Sequence, residues 1–214
     1  MSQAPATAAQ TSKGASTRCR LLERACGMAE KVGLEGVTIG ELATTAGMSK
    51  SGVFAHFGSR EDLVRQTLDW AAEQFIAQVM TPSMRQPRGL PRLRAITEAW
   101  MGWIAAHPDG CVFLGASFEY DGRPGPMRDH VAQMMESWQA ALERAVALAV
   151  EQGHLRPGAD PALIAFQLDA LMQGLHNARL HQPRHAQDLA RRAVEDLFAR
   201  YAADPADASP TDPR

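Results

Sequence analysis

The 214-residue sequence predicts an all-α protein with a small N-terminal helix-turn-helix domain, a connector helix and a larger C-terminal helical domain. Two observations lead to this fold class. Apolar residues recur every three or four positions along most of the chain, and no segment shows the strict alternation that is typical of a half-buried strand. Glycine and proline fall between the periodic segments, where they end one helix and begin the next.

The helix-turn-helix prediction rests on Thr38 to Phe57, TIGELATTAGMSKSGVFAHF. Thr38 followed by Glu41 forms a capping box, Gly47 is suited to a left-handed helix end, and Ser49 begins a second helix. At roughly 1.5 Å per residue the second helix is about 12 Å long, which matches the roughly 12 Å width of the DNA major groove. The residues therefore indicate either a DNA-reading motif or a helical hairpin that only packs.

The flanking segments favour a complete small domain. Thr17 to Val32 has an apolar stripe at helical spacing, which would cover the hairpin as a first helix. Ser59 begins a fourth helix whose apolar positions continue to Val79, until Thr81 and Pro82 are expected to break it. Because this fourth helix is too long to belong to the small domain alone, we expect it to connect the two domains.

Charge is distributed unevenly along the chain. Through Arg65 there are eight basic and six acidic side chains, whereas the whole sequence has a net charge of −2. A mildly basic N-terminal part on an acidic body is typical of a nucleic-acid-binding domain joined to a domain with another task.

The three cysteines, Cys19, Cys26 and Cys111, have no paired metal-ligand spacing, and their odd number argues against a disulfide framework. No apolar run is long enough to span a membrane, and the N-terminus lacks the apolar core of a secretion signal. We therefore expect a cytoplasmic protein with reduced cysteines and no membrane partner. A redox role for Cys111 is a minor alternative.

Residues Thr17 to about Leu68 resemble the DNA-binding domain of the TetR/AcrR family of bacterial transcriptional repressors. The resemblance is carried by the amphipathic first helix, the run from Thr38 to Phe57, and the sequence GSREDL that opens the fourth helix. It implies that one group of side chains lies along the DNA backbone: Thr38, Lys50, Phe54, His56 and Arg60. It places a second group near the groove: Ser49, Ser51 and Gly52.

The sequence departs from the family pattern at three positions. Phe54 stands where tyrosine is frequent, Gly58 where proline is common, and Gly40 where a longer polar residue is often found. These departures affect the operator sequence and affinity that the resemblance implies, not the fold.

The second domain contains no phosphate-binding glycine loop and no recognisable nucleophile elbow. We therefore expect no catalytic site, no cofactor and no metal. Three histidines, His176, His181 and His185, raise the alternative of a metal site, but their spacing does not place them on one helix face and Pro183 intervenes.

Large soft side chains in this domain suit an adaptable apolar pocket for a small effector, although such stripes more often form a core. The candidate lining residues are aromatic rings and a methionine, with two polar side chains: Trp100, Trp103, Phe113, Phe118, Met134, Trp138, and the polar Glu119 and His130.

The last two predicted helices carry apolar stripes that the resemblance assigns to a four-helix interface with a second subunit. The interface residues on this assignment are Ile164, Leu168, Leu171, Leu175, Leu189, Ala193, Leu197 and Tyr201. Because one short helix reads only a few base pairs, useful DNA discrimination also calls for two copies.

The sequence therefore predicts a homodimeric, ligand-responsive transcriptional regulator, a repressor in preference to an activator, that binds a pseudo-palindromic operator in double-stranded DNA. The alternative is an all-helical small-molecule-binding protein or enzyme that does not bind DNA. The expected divisions are a disordered arm (1–16), the DNA-binding domain (17–65), the effector-binding and dimerisation domain (66–203) and a disordered tail (204–214).

Overall fold

The structure is a computed structural model that describes residues 6–182 and 184–204, with side chains from residue 14 onward. Over these residues the chain is helical and has no strand, which confirms the predicted fold class. The α-helices are α1 (Ala6–Val32), α2 (Ile39–Ala46), α3 (Lys50–Phe57), α4 (Arg60–Phe75), α5 (Thr81–Ser83), α6 (Leu90–Ala106), α7 (Val112–Tyr120), α8 (Pro126–Glu151), α9 (Pro161–Ala178) and α10 (Ala186–Arg200).

The first helix is longer than the sequence predicts. Helix α1 begins at Ala6 and so takes in residues 6–16, which the sequence assigns to a disordered arm. Residues 1–5, and residues 205–214 of the predicted tail, lie outside the described residues.

The connector also differs from its prediction. Helix α4 is followed directly by a π-helical turn, Ile76–Met80, and then by α5. The expected break at Thr81 and Pro82 is absent because Pro82 occupies the first turn of α5, where a missing amide proton costs little. No helix in the described part of the chain has the length and apolarity that a bilayer crossing requires.

The chain forms two compact units. The N-terminal unit consists of the residues through Gln74 together with Asp109–Val131, and the C-terminal unit consists of Phe75–Pro108 and the residues from Ala132 onward. The N-terminal unit therefore includes α7 and the first residues of α8, which come from a distant part of the sequence. The predicted boundary at residue 65 followed chain order and did not anticipate this returning segment.

The N-terminal unit is held together by one apolar core. Leu21, Ala25 and Ala29 of α1 are buried, as the stripe of the first predicted helix requires. The facing helices complete the core with residues that are equally buried: Leu42, Ala43, Val53, Phe57, Leu63, Val64 and Leu68.

The C-terminal unit has a second core, built mainly from α6, α8, α9 and α10. Its fully buried members include Leu93 and Ile96 of α6, Val146 of α8 and Phe198 of α10. Helix α9 is capped by Asp160, whose carboxylate accepts from the amide of Ala162 at 2.9 Å, and Pro161 is its first residue.

Candidate nucleic-acid interface

Two side-chain caps fix the helix-turn-helix. The Thr38 hydroxyl accepts from the Glu41 amide at 3.1 Å, and the Ser49 hydroxyl accepts from the Gly52 amide at 3.1 Å. Between the caps, Gly47 ends α2 with φ +65°, a left-handed conformation that glycine enters at low cost. Each helix of the motif therefore starts at the residue that the sequence predicts.

Helix α3 presents a polar face to solvent. Val53 and Phe57 are buried in the core, whereas Lys50, Ser51 and Phe54 are exposed. The other predicted groove and backbone residues are exposed or half-buried in the same segment: Thr38, Ser49, Gly52 and His56. The outer side of α3 thus offers short hydrogen-bonding groups, one cation and one aromatic ring, which are suited to base edges and phosphates.

Lys50 depends on the small residue at position 40. Its Cε lies 3.2 Å from where a Cβ on Gly40 would stand, so the lysine stem passes directly over the first turn of α2. Lys50 makes no ion pair among the described residues, which leaves its ammonium group available to a phosphate.

Arg60 binds the loop that precedes α2. Its Nε donates to the Val37 carbonyl at 3.1 Å, and its Nη2 donates to the Glu35 carbonyl at 2.6 Å and lies 3.2 Å from the Glu35 carboxylate. The guanidinium therefore holds the loop between α1 and α2. These contacts are an additional role for Arg60, and its predicted place along the DNA backbone stays a prediction.

Helix α7 adds further contacts to the same loop within the N-terminal unit. The Glu119 carboxylate accepts from the amides of Leu34 at 2.9 Å and Glu35 at 3.3 Å, and the Tyr120 hydroxyl donates to the Glu35 carboxylate. Arg123 lies 3.7 Å from the same carboxylate.

These contacts shift the pKa values of Glu35 and Tyr120. The hydrogen bond from Tyr120 lowers the pKa of Glu35, with the charges of Arg60 and Arg123 acting in the same direction. Burial raises the pKa of the Tyr120 hydroxyl, and its bond to Glu35 raises it further. Both shifts favour the charged carboxylate beside a neutral phenol. Sequence reasoning missed Glu35 and Tyr120 because the two residues lie far apart in the chain.

The predicted effector residues do not form a single group within either unit. In the C-terminal unit the Phe75 ring packs edge-on against Trp138, Trp103 and Trp100, with centroids 5.0, 5.5 and 6.1 Å away. Met134 is half-buried in the same unit. The sequence had placed Phe75 on the connector helix and not among the effector residues.

The remaining predicted effector residues belong to the N-terminal unit. Phe118 is 69% exposed, Phe113 is half-buried, and His130 Nε2 lies 2.7 Å from the Asp69 carboxylate. Glu119 is bound to the loop amides. Glu119 and His130 thus each have partners within the N-terminal unit, and their role as polar side chains of an effector pocket stays a prediction.

The carboxylate beside the tryptophan cluster is that of Asp169. The Asp169 carboxylate of α9 is hydrogen-bonded by the Gln173 amide, at 2.5 Å, and by the Trp138 side chain. Burial raises its pKa despite these bonds. Burial also lowers the pKa of His176, with the charge of Arg179 as a second cause. Among the described residues, His, Cys, Asp and Glu side chains form no group of three that could hold a metal ion.

The predicted dimer residues divide into two groups. Ile164, Leu168, Leu175, Leu197 and Tyr201 are buried within a single chain, so they cannot contribute area to a partner and their assignment is corrected. Leu171 and Ala193 are half-buried, and Leu189 is 41% exposed. Periodicity identified an apolar face correctly but could not indicate that the chain's own core covers it.

A second apolar face of α9 remains exposed. Leu163 is 45% exposed and Phe166 is 66% exposed. Ala170 and Gly174 continue this face at helical spacing and are exposed as well.

Two protein-family models match the chain. The family described as "Bacterial regulatory proteins, tetR family" matches residues 21–67, and "Tetracyclin repressor-like, C-terminal domain" matches residues 89–194. The HTH-type transcriptional repressor KstR2 of Mycobacterium tuberculosis is 27% identical over 156 residues, which cover 70% of this chain and 74% of that protein.

Solved structures share the fold. The TetR-family regulator SCO4454 from Streptomyces coelicolor has a TM-score of 0.76 at 22% identity, covering 87% of this chain and 96% of that one. AibR, solved in complex with isovaleryl coenzyme A and operator DNA, has a TM-score of 0.68 at 24% identity, covering 85% of this chain and 98% of that one.

Proposed function

Because this chain belongs to the TetR family of bacterial transcriptional regulators, we propose that it is a ligand-responsive repressor that binds a pseudo-palindromic operator as a homodimer. DNA recognition lies in residues 17–65, and effector binding and dimerisation lie in the helices of residues 66–203. The observation that carries the proposal is the exposed face of α3, on which Lys50 and the hydroxyls of Ser49 and Ser51 lie together.

Helix α3 supports the proposed reading of DNA by its size and its surroundings. Its eight residues, Lys50–Phe57, are short enough for one groove, and its buried side is anchored by Val53 and Phe57. Lys50 and Thr38 then position the motif on phosphates, while the short side chains of Ser51 and Gly52 let the helix approach base edges closely.

The exposed face of α9 supports the proposed dimer. Leu163 and Phe166 are large apolar side chains that a monomer would leave in water, and Ala170 and Gly174 are small enough for a second helix to come close. Two copies would place their recognition helices about 34–36 Å apart, one turn of DNA.

The tryptophan cluster supports effector binding in the C-terminal unit. Trp100, Trp103 and Trp138 are all half-buried around Phe75, so an apolar molecule can gain ring contacts there without displacing a sealed core. Phe75 is the last residue of α4 and is followed by a π-helical turn, a distortion that occurs frequently at functional sites. The effector class we propose is a small molecule with an apolar or aromatic body.

Helix α4 supplies the proposed coupling. It begins at Arg60, which holds the loop before α2, and it ends at Phe75, which holds the tryptophan cluster. An effector that prefers the non-binding conformation by about 10⁴-fold, roughly 5.5 kcal/mol, would move a 1:99 balance to 99:1. Release from the operator requires no contact between effector and DNA.

Selection of bound genomic fragments with the purified protein tests DNA binding directly. We expect a short palindromic sequence to be enriched and its affinity to fall steeply with salt. Lys50→Ala should reduce the slope of log K against log salt by about one per subunit. Arg88→Ala, which removes an exposed charge from the C-terminal unit, is the matched control and should leave the slope unchanged.

Effector binding has a built-in optical signal, because three of the four tryptophans belong to the cluster. Isovaleryl coenzyme A, the ligand in the AibR complex, is a suitable first probe, with free coenzyme A as its control. We expect an active effector to change the tryptophan emission and to release the operator at the same concentration. Turnover of a probe without any DNA retention would instead favour the enzyme or carrier alternative.

A further inference from the structure

The loop between α1 and α2, residues Gly33 to Val37, is held by three side chains from two helices. Glu119 of α7 binds its amides at Leu34 and Glu35, and Arg60 of α4 binds its carbonyls at Glu35 and Val37. Tyr120 of α7 and Arg60 both bind the Glu35 side chain as well. These contacts fix the backbone of a five-residue loop that would otherwise be mobile.

In the sequence, the held loop lies just before the helix-turn-helix and Arg60 lies just after it. The held loop ends one residue before Thr38, the cap of α2, and Arg60 begins α4 just after α3 has ended at Phe57. The entry to α2 and the exit from α3 are thus tied to each other and to α7. Because the caps at Thr38 and Ser49 act only within their own helices, they do not supply this tie.

Position 33 is matched to Glu119. Gly33 has φ +76°, and a Cβ at this residue would lie 1.7 Å from the Glu119 carboxylate oxygen Oε1. The carboxylate can reach the amides of the next two residues only because position 33 has no side chain. The close approach indicates that the Glu119 contact requires glycine at residue 33.

We propose that Glu119 and Tyr120 of α7 are positioning residues for operator binding, which fix the orientation of α2 and α3 through the loop at residues 33–37. The inference rests on the proposed DNA-binding function. Neither residue is expected to touch DNA, so the positioning role is distinct from DNA contact. It also means that residues 17–65 need α7 for operator recognition.

Operator binding depends on the orientation of α2 and α3. Specific DNA binding requires α3 and its phosphate contacts to be correctly placed at the same time, whereas non-specific binding depends on the number of cations alone. Loss of the Glu119 anchor removes no cation. We therefore expect it to weaken operator binding while binding to random-sequence DNA stays nearly constant.

The test uses full-length protein, the selected operator and a random duplex of equal length. Glu119→Ala and Tyr120→Phe should each weaken operator binding, with a loss of about tenfold or more for Glu119→Ala, which leaves two amides without their charged acceptor. Glu119→Gln keeps an acceptor oxygen for these amides and should recover most of the affinity. Glu136→Ala, an exposed carboxylate on α8 without an ion pair among the described residues, is the control.

The outcomes separate this proposal from the one before it. If wild-type protein retains no DNA, both proposals fail. If wild type binds its operator and Glu119→Ala binds within twofold, only the positioning role is overturned. It is also overturned if Glu119→Ala loses operator and random DNA equally, or if Glu119→Gln gives no recovery. Amide exchange at Leu34 and Glu35 should accelerate in Glu119→Ala and remain slow in Glu119→Gln.

Discussion

The Glu119 side chain occupies the space that a side chain at residue 33 would need, with Oε1 1.7 Å from the ideal Cβ position of Gly33. Gly33→Ala would therefore meet two penalties, the positive φ of this residue and the overlap with Glu119. We expect a loss of about 1–3 kcal/mol in unfolding free energy, measured by urea denaturation.

Gly27→Ala is the matched control for that substitution. Gly27 lies inside α1, and nothing comes within 4 Å of its ideal Cβ position. This variant should gain about 0.5–1 kcal/mol from helix propensity. Equal effects at positions 27 and 33 would contradict the close contact with Glu119.

Acid should weaken the contacts of the Glu35 carboxylate with Tyr120 and Arg60. The pKa of Glu35 is lowered from its ordinary value of 4.5, first by the Tyr120 hydrogen bond. Its contribution to stability is therefore fully present above about pH 4.5 and disappears as pH falls through the lower folded-state value. Urea unfolding from about pH 7 to about pH 3 should show wild type and Glu35→Gln converging in stability as the pH decreases.

Glu23→Gln provides the comparison for the acid experiment, since Glu23 is an exposed carboxylate of α1 that makes no ion pair among the described residues. The stability difference between this variant and wild type should vary much less with pH. A constant difference between Glu35→Gln and wild type across the same range would rule out the stabilising role of the charged carboxylate.

Self-association should depend on the exposed face of α9. Phe166→Ala removes a 66% exposed ring, which in a dimer would be buried twice. Because burying such a ring contributes about 1.5–3 kcal/mol, the dimer dissociation constant should rise by at least about tenfold. Sedimentation velocity at decreasing protein concentration measures this change.

Phe118→Ala is the matched control for the dimer, because Phe118 is a similarly exposed ring in the N-terminal unit. It should leave the dissociation constant unchanged. If Phe118→Ala dissociates the protein and Phe166→Ala does not, the interface lies elsewhere.

The cysteines should differ sharply in reactivity. Burial raises the pKa of the Cys26 thiol to about 12, with Glu30 and Cys111 nearby as further causes, whereas Cys19 is exposed. Since the thiolate is the reactive form, Ellman's reagent at pH 8 should modify Cys19 rapidly and Cys26 only after unfolding. A Cys111→Ser background keeps the two signals apart, and fast labelling of Cys26 in the native protein would contradict its burial.

Local sequence signals predicted the helix-turn-helix well. The caps at Thr38 and Ser49 and the left-handed Gly47 depend on chemistry within four residues, which a sequence displays directly. Helical periodicity likewise identified the buried sides of α1 and α3. These features depend little on the rest of the fold.

Tertiary partners were beyond the same reasoning. Nothing near Arg60 indicates that its acceptors are carbonyls of a preceding loop, and nothing near Glu119 indicates the amides at Leu34 and Glu35. Helix α9 has two apolar faces, and periodicity does not say that Ile164 packs into the chain's own core while Phe166 stays exposed. Such assignments require the three-dimensional arrangement of distant segments.

The inclusion of α7 in the N-terminal unit has a consequence for synthesis. When residue 74 leaves the ribosome, Glu35 still lacks Tyr120, and the loop amides lack Glu119. At about 5–20 residues per second, these partners follow only some seconds later. A nascent chain would therefore carry an unfinished DNA-binding surface while the first part of the C-terminal unit, Phe75–Pro108, is being made. Operator occupancy by incomplete chains would be limited by the order of translation itself.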